Sequence, residues 1–477
     1  MGKNEVVFWC EGEKLLNHKR LDLMAKYIYV ECFLNDYDMQ WAREIYARHN
    51  EAFSGRKFCE PGNAEKKSLQ AYLEVFNGLI ESLSKKGFDN KISLVPISME
   101  GVIGDGAHRT AIAMYLKKPV CCVQVEGEAC YDYRFFRKQL LDEKYIEYMV
   151  TKYVELKKRN TYVLCIWPSA TQDIKTLDIV DKIIHNEMNV VYDKKLHLSY
   201  IGLRNLMIQA HSRFDWIGIA ENSYRGIEGK VAACYHKDEM LQVYVLEQRE
   251  NGDSIIELQA RILGLYKMEK HSVHFSDNER ETLELVHLLL NENSVHLLNY
   301  GKLDFDPETV KRVKSFKEQL YEKNRVLENY IISSSSVMGI YGIRRAGDID
   351  YLCVEEYEDN GNADNDNQYI DYYETSLSNL IFNPSNYAYA FEMKFATLEK
   401  VCLFKKKRGA ERDIWDVRLI DNKLNETKNY VSELQCLGIR GRIQLRNIKI
   451  KIRDLLQRNN IYVFTKLWHF LKGKGFK

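Results

Sequence analysis

The stretch ISSSSVMGIYGIRRAGDIDYL, residues 332–352, decides how the rest of the chain is read. Its end alternates acidic and apolar residues, so as a strand it carries Asp348 and Asp350 on one face and Ile349 and Tyr351 on the other. Two steps of strand rise set the two carboxylates about 6.6 Å apart. Like charges that close raise each other's pKa unless a cation lies between them. Magnesium suits such a pair, because it takes one or two carboxylates and fills its other positions with water and phosphate oxygens. Upstream, the run Ser333 to Ser336 offers N–H and O–H donors to a phosphate, Ser335 and Ser336 foremost, and Arg344 adds a guanidinium able to clamp one.

A serine pair, Ser335-Ser336, then eleven residues, then Asp348-Ile349-Asp350 resembles the signature of the nucleotidyltransferase superfold, the polymerase-beta-like fold. The family's usual glycine is Ser335 here. The resemblance implies a mixed sheet, magnesium as cofactor and ATP or CTP as substrate. It also implies a third carboxylate on a later strand, for which Glu392 in YAFEMKF is the candidate. Residues 395–420 resemble the helix that follows in this family, with Lys405 and Arg408 placed to reach phosphates and Arg412, Asp413 and Asp416 opening the next helix. Read without the resemblance, the aspartates are solvated members of an exposed hairpin.

A chain of 477 residues accommodates about three domains. Hydrophobic residues at 45% and charged residues at 29% are those of an ordinary soluble globular protein. The net charge of +1 hides an asymmetry, for residues 440–477 hold eleven Lys or Arg against Asp454 alone. A body that is net acidic does not suit general nucleic-acid binding, and no DNA partner is expected. Eleven cysteines without a CxxC pair suit a reducing cytoplasm. The N-terminus lacks a signal-peptide layout, and no apolar run approaches membrane-spanning length.

Residues 1–142 are expected to form a first domain. After the strand ISLVPIS, the sequence Asp105-Gly106-Ala107-His108-Arg109 falls where a helix begins, which gathers backbone N–H groups and Arg109 around one point suited to a phosphate. The order strand, turn, DGAHR and helix resembles the ParB and sulfiredoxin superfamily. That resemblance implies a nucleotide held by Asp105, Gly106, His108 and Arg109. In the free-serine kinases of this fold a Glu on an early strand acts as base, and Glu31 in YIYVECF matches that position. The bland alternative keeps the fold while His108 and Arg109 only anchor a loop.

Residues 160–300 alternate strands and helices in a pattern that suggests a ferredoxin-like α+β sheet. Ser276-Asp277 is expected to cap the helix that follows. The segment His274-Phe275-Ser276-Asp277 with Glu281 resembles the active-site segment of nucleoside diphosphate kinases, which implies a phosphorylated His274, although Phe275 replaces that family's glycine. The alternative is a capped structural helix. Residues 301–430 then hold the nucleotidyltransferase-like domain, interrupted by the acidic, Asn-rich run 355–368, which is expected to be a flexible insertion. Residues 431–477 read as a basic amphipathic helical tail, suited either to anionic lipid or to docking on the body.

The expected whole is an α+β multidomain chain: a ParB/sulfiredoxin-like module, a ferredoxin-like module, a polymerase-beta-like nucleotidyltransferase and a basic tail. The expected function is magnesium-dependent nucleotidyl or phosphoryl transfer from a nucleoside triphosphate to a small molecule or glycan precursor. By resemblance, such chains belong with bacterial capsule and surface-polysaccharide loci, in the cytoplasm and, through the tail, peripherally at the membrane. Two alternatives remain, a nucleotide-binding scaffold without turnover and a nucleotidylating toxin.

Overall fold

The segment DLMAKYIYVECFL buries residues on nearly every side, among them Leu23, Met24, Ile28, Tyr29, Val30 and Cys32, and it folds as the helix Asp22–Leu34. This corrects the expectation of an early strand carrying Glu31. A segment apolar all round loses the 3.6-residue signature by which helices are recognised, so a short window reads equally as a buried strand.

The computed structural model describes residues 6–54, 68–249, 254–355 and 363–426. It is an α+β fold with three sheets, all inside one compact unit, residues 1–417; residues 418–477 form a second unit. The expected tail, 431–477, lies outside the described residues. Among the described residues, no helix is long and apolar enough to cross a membrane.

The first sheet contains β1 (Val7–Glu11), β2 (Val95–Ile97) and β3 (Pro119–Gln124) in the order β1-β3-β2. The second contains β4 (Thr161–Ile166), β5 (Met188–Leu196), β6 (Leu241–Gln248) and β7 (Val273–Phe275). Its order is β5-β6-β4-β7 with every neighbouring pair antiparallel. The third contains β8 (Tyr330–Ser333), β9 (Asp350–Cys353), β10 (Asp364–Asn365), β11 (Tyr387–Ala390) and β12 (Met393–Ala396). Its order is β10-β9-β8-β12-β11, with β8 parallel to β12 and antiparallel to β9. Strand β8 is buried at all four positions, as a central strand covered on both faces should be.

The sheets are locked to one another within the unit. His287 stacks on Tyr389 with ring centroids 3.9 Å apart, and Asn293 donates to the carbonyl oxygens of Pro384 and Tyr387. Between the first and second sheets, His18 approaches Glu247 at 3.3 Å, and the Tyr133 hydroxyl donates to Asp193 at 3.0 Å. Such aromatic and charged contacts bury groups that solvent would otherwise hydrate, so relative placement is fixed by partners rather than by linker length.

Candidate metal and nucleotide site

Asp348 precedes β9 and Asp350 opens it, so the two expected carboxylates stand at one end of the third sheet. The cross-strand partner of Asp350 is Ser333, the last residue of β8. Ser334 follows with φ of 53°, a left-handed conformation that favours glycine, and turns the chain into the helix Ser334–Ile340. Such a backbone costs about 1 kcal/mol or more in a non-glycine residue. What it achieves is placement of the serine run against the aspartates. Ser335 Oγ donates to Asp348 Oδ1 at 3.2 Å, and Ser336 Oγ donates to the Asp348 carbonyl at 2.9 Å. The Ser334 hydroxyl and the Ser335 N–H bond to Asp350. Ser335 and Ser336, expected to face a phosphate, are therefore buried supports for the carboxylates.

The third carboxylate is Asp364. It lies opposite Asp350 on β10, which pairs in parallel with β9. One carboxylate oxygen from each of Asp348, Asp350 and Asp364 falls within 4.8 Å of the other two. An all-oxygen, all-carboxylate set of this kind fits magnesium or manganese rather than zinc or copper. A fourth acid, Asp366, is buried two residues beyond Asp364. Burial, followed by the charges of Asp350, Asp364 and Asp348, pushes Asp366 up to about 7 against the opposing pull of Arg408. Asp350 is raised by burial and then by Asp348. Four acids so close repel one another, and a divalent cation relieves that repulsion.

No family model matches the chain, and no curated protein or solved structure matches it either. The reading of the site therefore rests on its own chemistry.

Glu392 is not part of the cluster. Phe391 and Glu392, with φ of 53° and 66°, form the two-residue turn between β11 and β12, at the far end of the sheet. Phe395 lies opposite Ile332 in the parallel pair, so the level of Asp350 is reached only near the end of β12, about 13 Å of strand beyond Glu392. Arg280 grips Glu392 bidentately at 2.6 and 2.8 Å, and Lys317 adds a contact at 3.2 Å. Burial raises the Glu392 carboxyl, but the Arg280 and Lys317 contacts outweigh it and hold the group below its usual range. The expectation failed because YAFEMKF was read as one strand, whereas its middle is the turn.

Behind Glu392 lies Glu284, 6% exposed. Burial and the Glu392 charge push Glu284 up to about 8, although Arg213, Lys317 and Arg280 oppose them. Its folded pKa is above the ordinary 4.5, so the fold prefers the protonated form. The stability this contributes is complete below about pH 4.5 and is lost as pH rises to about 8. In urea titrations, stability should fall between pH 5 and 8, and Glu284→Gln should remove most of that fall, on the order of 3–5 kcal/mol. An unchanged slope in the variant would count against this assignment.

Lys405 and Arg344 are committed to carboxylates. Lys405, 1% exposed in the helix Leu398–Arg408, places Nζ 3.3 Å from Asp413 and 2.8 Å from Asp416. Arg344 grips Asp416 bidentately at 2.6 and 2.7 Å, so its fork is filled by protein rather than open to a phosphate. Arg408 pairs with Asp413 at 2.7 Å, and its charge also reaches Asp350 and Asp366. Residues 398–416 thus back the acidic cluster with a cationic layer, itself neutralised by two aspartates.

The remaining expected residues lie away from the third sheet. Gly106 takes a left-handed φ of 82° and caps the helix Ala107–Leu116, while Arg109 bends back to within 4.0 Å of the exposed Asp105. His108 Nε2 meets the Tyr46 hydroxyl at 2.8 Å and packs edge-on against Phe76, which makes it an anchor of the turn. Glu31 pairs with Lys152 at 3.2 Å and is not brought beside DGAHR by any strand. His274, on β7, bonds Glu281 through Nε2 at 2.9 Å and stacks on Trp167. The helix cap there is Asn278, whose side chain accepts from the Glu281 N–H, rather than Ser276-Asp277.

Asp364 and Asp366 were missed by sequence reasoning. Their run, ADNDN, has few core-forming residues and reads as loop, but its acids at alternate positions repeat the spacing of Asp348 and Asp350. That repetition was the available signal.

Proposed function

We propose that the chain is a divalent-metal-dependent nucleotidyltransferase that moves a nucleotidyl group from a nucleoside triphosphate to a hydroxyl of a small molecule or glycan precursor. The observation that carries the reading is the meeting of three carboxylates from β9, its approach and β10, buttressed by the serine run at the end of β8. This combination supports a polymerase-beta-like domain. The β5-β6-β4-β7 order supports a ferredoxin-like module beside it, and the left-handed Gly106 opening a helix supports a ParB/sulfiredoxin-like turn. Kinase chemistry at that turn is not part of the proposal, because Glu31 is tied to Lys152.

Magnesium held by Asp348, Asp350 and Asp364 would polarise the phosphate undergoing attack and neutralise its developing charge. The protein's own part is positional. Ser334, Ser335 and Ser336 fix the carboxylate oxygens before any ligand arrives, which removes the reorganisation that a mobile loop would require. Asp366, the buried acid outside the cation's ligand set, is the candidate base for the proton of an acceptor hydroxyl. Arg408, its fork filled by Asp413, adds a positive charge that reaches Asp350 and Asp366 and so favours a triphosphate beside them without binding it directly. The reaction is placed in the cytoplasm, where triphosphates and free thiols coexist.

The test is incubation of the full chain with each nucleoside triphosphate, magnesium and a panel of sugars, alcohols and amino acids, followed by pyrophosphate release and mass analysis of products. Acceptor-dependent pyrophosphate release that EDTA abolishes is expected. Release of the terminal phosphate alone, without nucleotidylated product, would contradict nucleotidyl transfer.

A further inference from the structure

The second sheet carries a group of polar side chains that nucleotidyl transfer does not use. Trp167 follows β4 and is fully buried, yet its Nε1 has no hydrogen-bond partner among the described residues. His211, 4% exposed at the end of the helix Tyr200–Ala210, has a partner among them at neither ring nitrogen. His274 lies near both, its ring 6.0 Å from Trp167 and 5.2 Å from His211. On the outer side of His211, at 5.4 Å, stands the half-exposed ring of Trp216. Lys230 sits 6.0 Å over Trp216, and among the described residues it makes no ion pair. The helix Glu228–Cys234 that carries it packs against the short helix Pro168–Thr171 behind Trp167, where Ser169 Oγ is likewise buried and unbonded.

A buried polar group without a partner costs about 1–3 kcal/mol, and folded proteins tolerate few. Several around one histidine pair imply a partner that arrives from outside. Its chemistry follows from the groups present. An indole offers only a donor, and an ammonium offers only donors. Burial, then the charges of Lys230 and His274, hold His211 down at about 3, so it is neutral and has one N–H to give. The acid facing the group, Glu281, is already engaged by His274. The group offers N–H donors from Trp167, His211 and Lys230, the last positively charged, together with one acceptor nitrogen on His211, and it is bordered by an exposed indole.

We propose that Trp167, His211 and Lys230 form a second ligand site, for the compact oxyanion of a small organic molecule, phosphate or carboxylate, whose ring or apolar part rests on Trp216. The site belongs to the second sheet and is independent of the aspartates at β9 and β10.

The probes are phenyl phosphate, benzoate and inorganic phosphate, titrated into the full chain in EDTA with tryptophan fluorescence and calorimetry as readouts. Binding of either aromatic anion, weakened at least tenfold by Lys230→Met and by His211→Phe and unchanged by Asp348→Asn, is expected. Phenyl phosphate alone assigns the site to phosphate, benzoate alone to carboxylate, and both support it. Equal affinity for phenyl phosphate and inorganic phosphate would overturn the role of Trp216. Failure of all three probes at millimolar concentration, or undiminished binding by Lys230→Met, would overturn the site. Should His211→Phe not fold, Lys230→Met decides, because that half-buried side chain supports no ion pair among the described residues.

Discussion

Asp350→Asn should lower the rate of pyrophosphate release by about 10³-fold or more, while leaving the metal-free protein at least as stable as wild type. The first half follows from the chemistry of the site. A divalent cation stabilises transition-state charge by several kcal/mol, and each 1.36 kcal/mol is a factor of ten in rate. Asp350 is the most buried of the three clustered carboxylates and the one bonded to both Ser334 and Ser335, so its loss removes the best-ordered ligand. The second half follows from repulsion. Burial and Asp348 raise the Asp350 carboxyl, and the same cluster lifts Asp366 to about 7. Both folded values exceed the unfolded ones, so the ionised cluster opposes folding increasingly as pH rises through them, and neutral Asn relieves it. A fall in melting temperature of the metal-free variant, measured above pH 7, would show instead that Asp350 is structural.

Lys405→Met should destabilise the protein by about 3–5 kcal/mol, the range seen when one partner of a buried charge group is removed. Lys405, Asp413 and Asp416 are 1%, 1% and 5% exposed, and the ammonium lies within 3.3 Å of both carboxylates. Without it, Asp413 keeps Arg408 and Asp416 keeps Arg344, but two buried acids then share only half-exposed guanidiniums. The loss should be readable as a lower urea midpoint with an unchanged slope. Lys405→Arg should not rescue it, because a planar fork does not fit a space shaped for one ammonium between two acids. If Lys405 served only to contact a triphosphate, Lys405→Met would weaken nucleotide binding and leave the midpoint alone.

The sequence made some of this legible and hid the rest for physical reasons. Asp348 and Asp350 were found because alternation along a strand is the strongest local pattern a chain displays. The helix that DGAHR opens was legible because a glycine at a helix start carries its own backbone signature. Pairing between distant segments was not legible. Asp364 joins the cluster only because β10 adds to the edge of β9, and nothing within 355–368 encodes that register. Glu392 looked suitable by spacing, yet two left-handed residues turn the chain there and aim the carboxylate at Arg280 and Lys317. Lys405 and Arg344 were recognised as important cations, but sequence cannot reveal that Asp413 and Asp416 neutralise them from the next helix. In the group around His211 only His274 carried a motif, and that motif did not point to Trp167, His211 or Lys230, since unsatisfied nitrogen atoms become visible only when neighbours are in place.

The central claim is that Asp348, Asp350 and Asp364 together hold a divalent cation. It is tested most directly by titrating manganese into the full chain and following the free ion by paramagnetic resonance, with wild type beside Asp348→Asn, Asp350→Asn and Asp364→Asn. The account predicts one site in wild type that nucleoside triphosphate tightens, weakened at least tenfold in each of the three variants and unaffected by Glu392→Gln. Manganese binding retained in Asp364→Asn but lost in Glu392→Gln would contradict it.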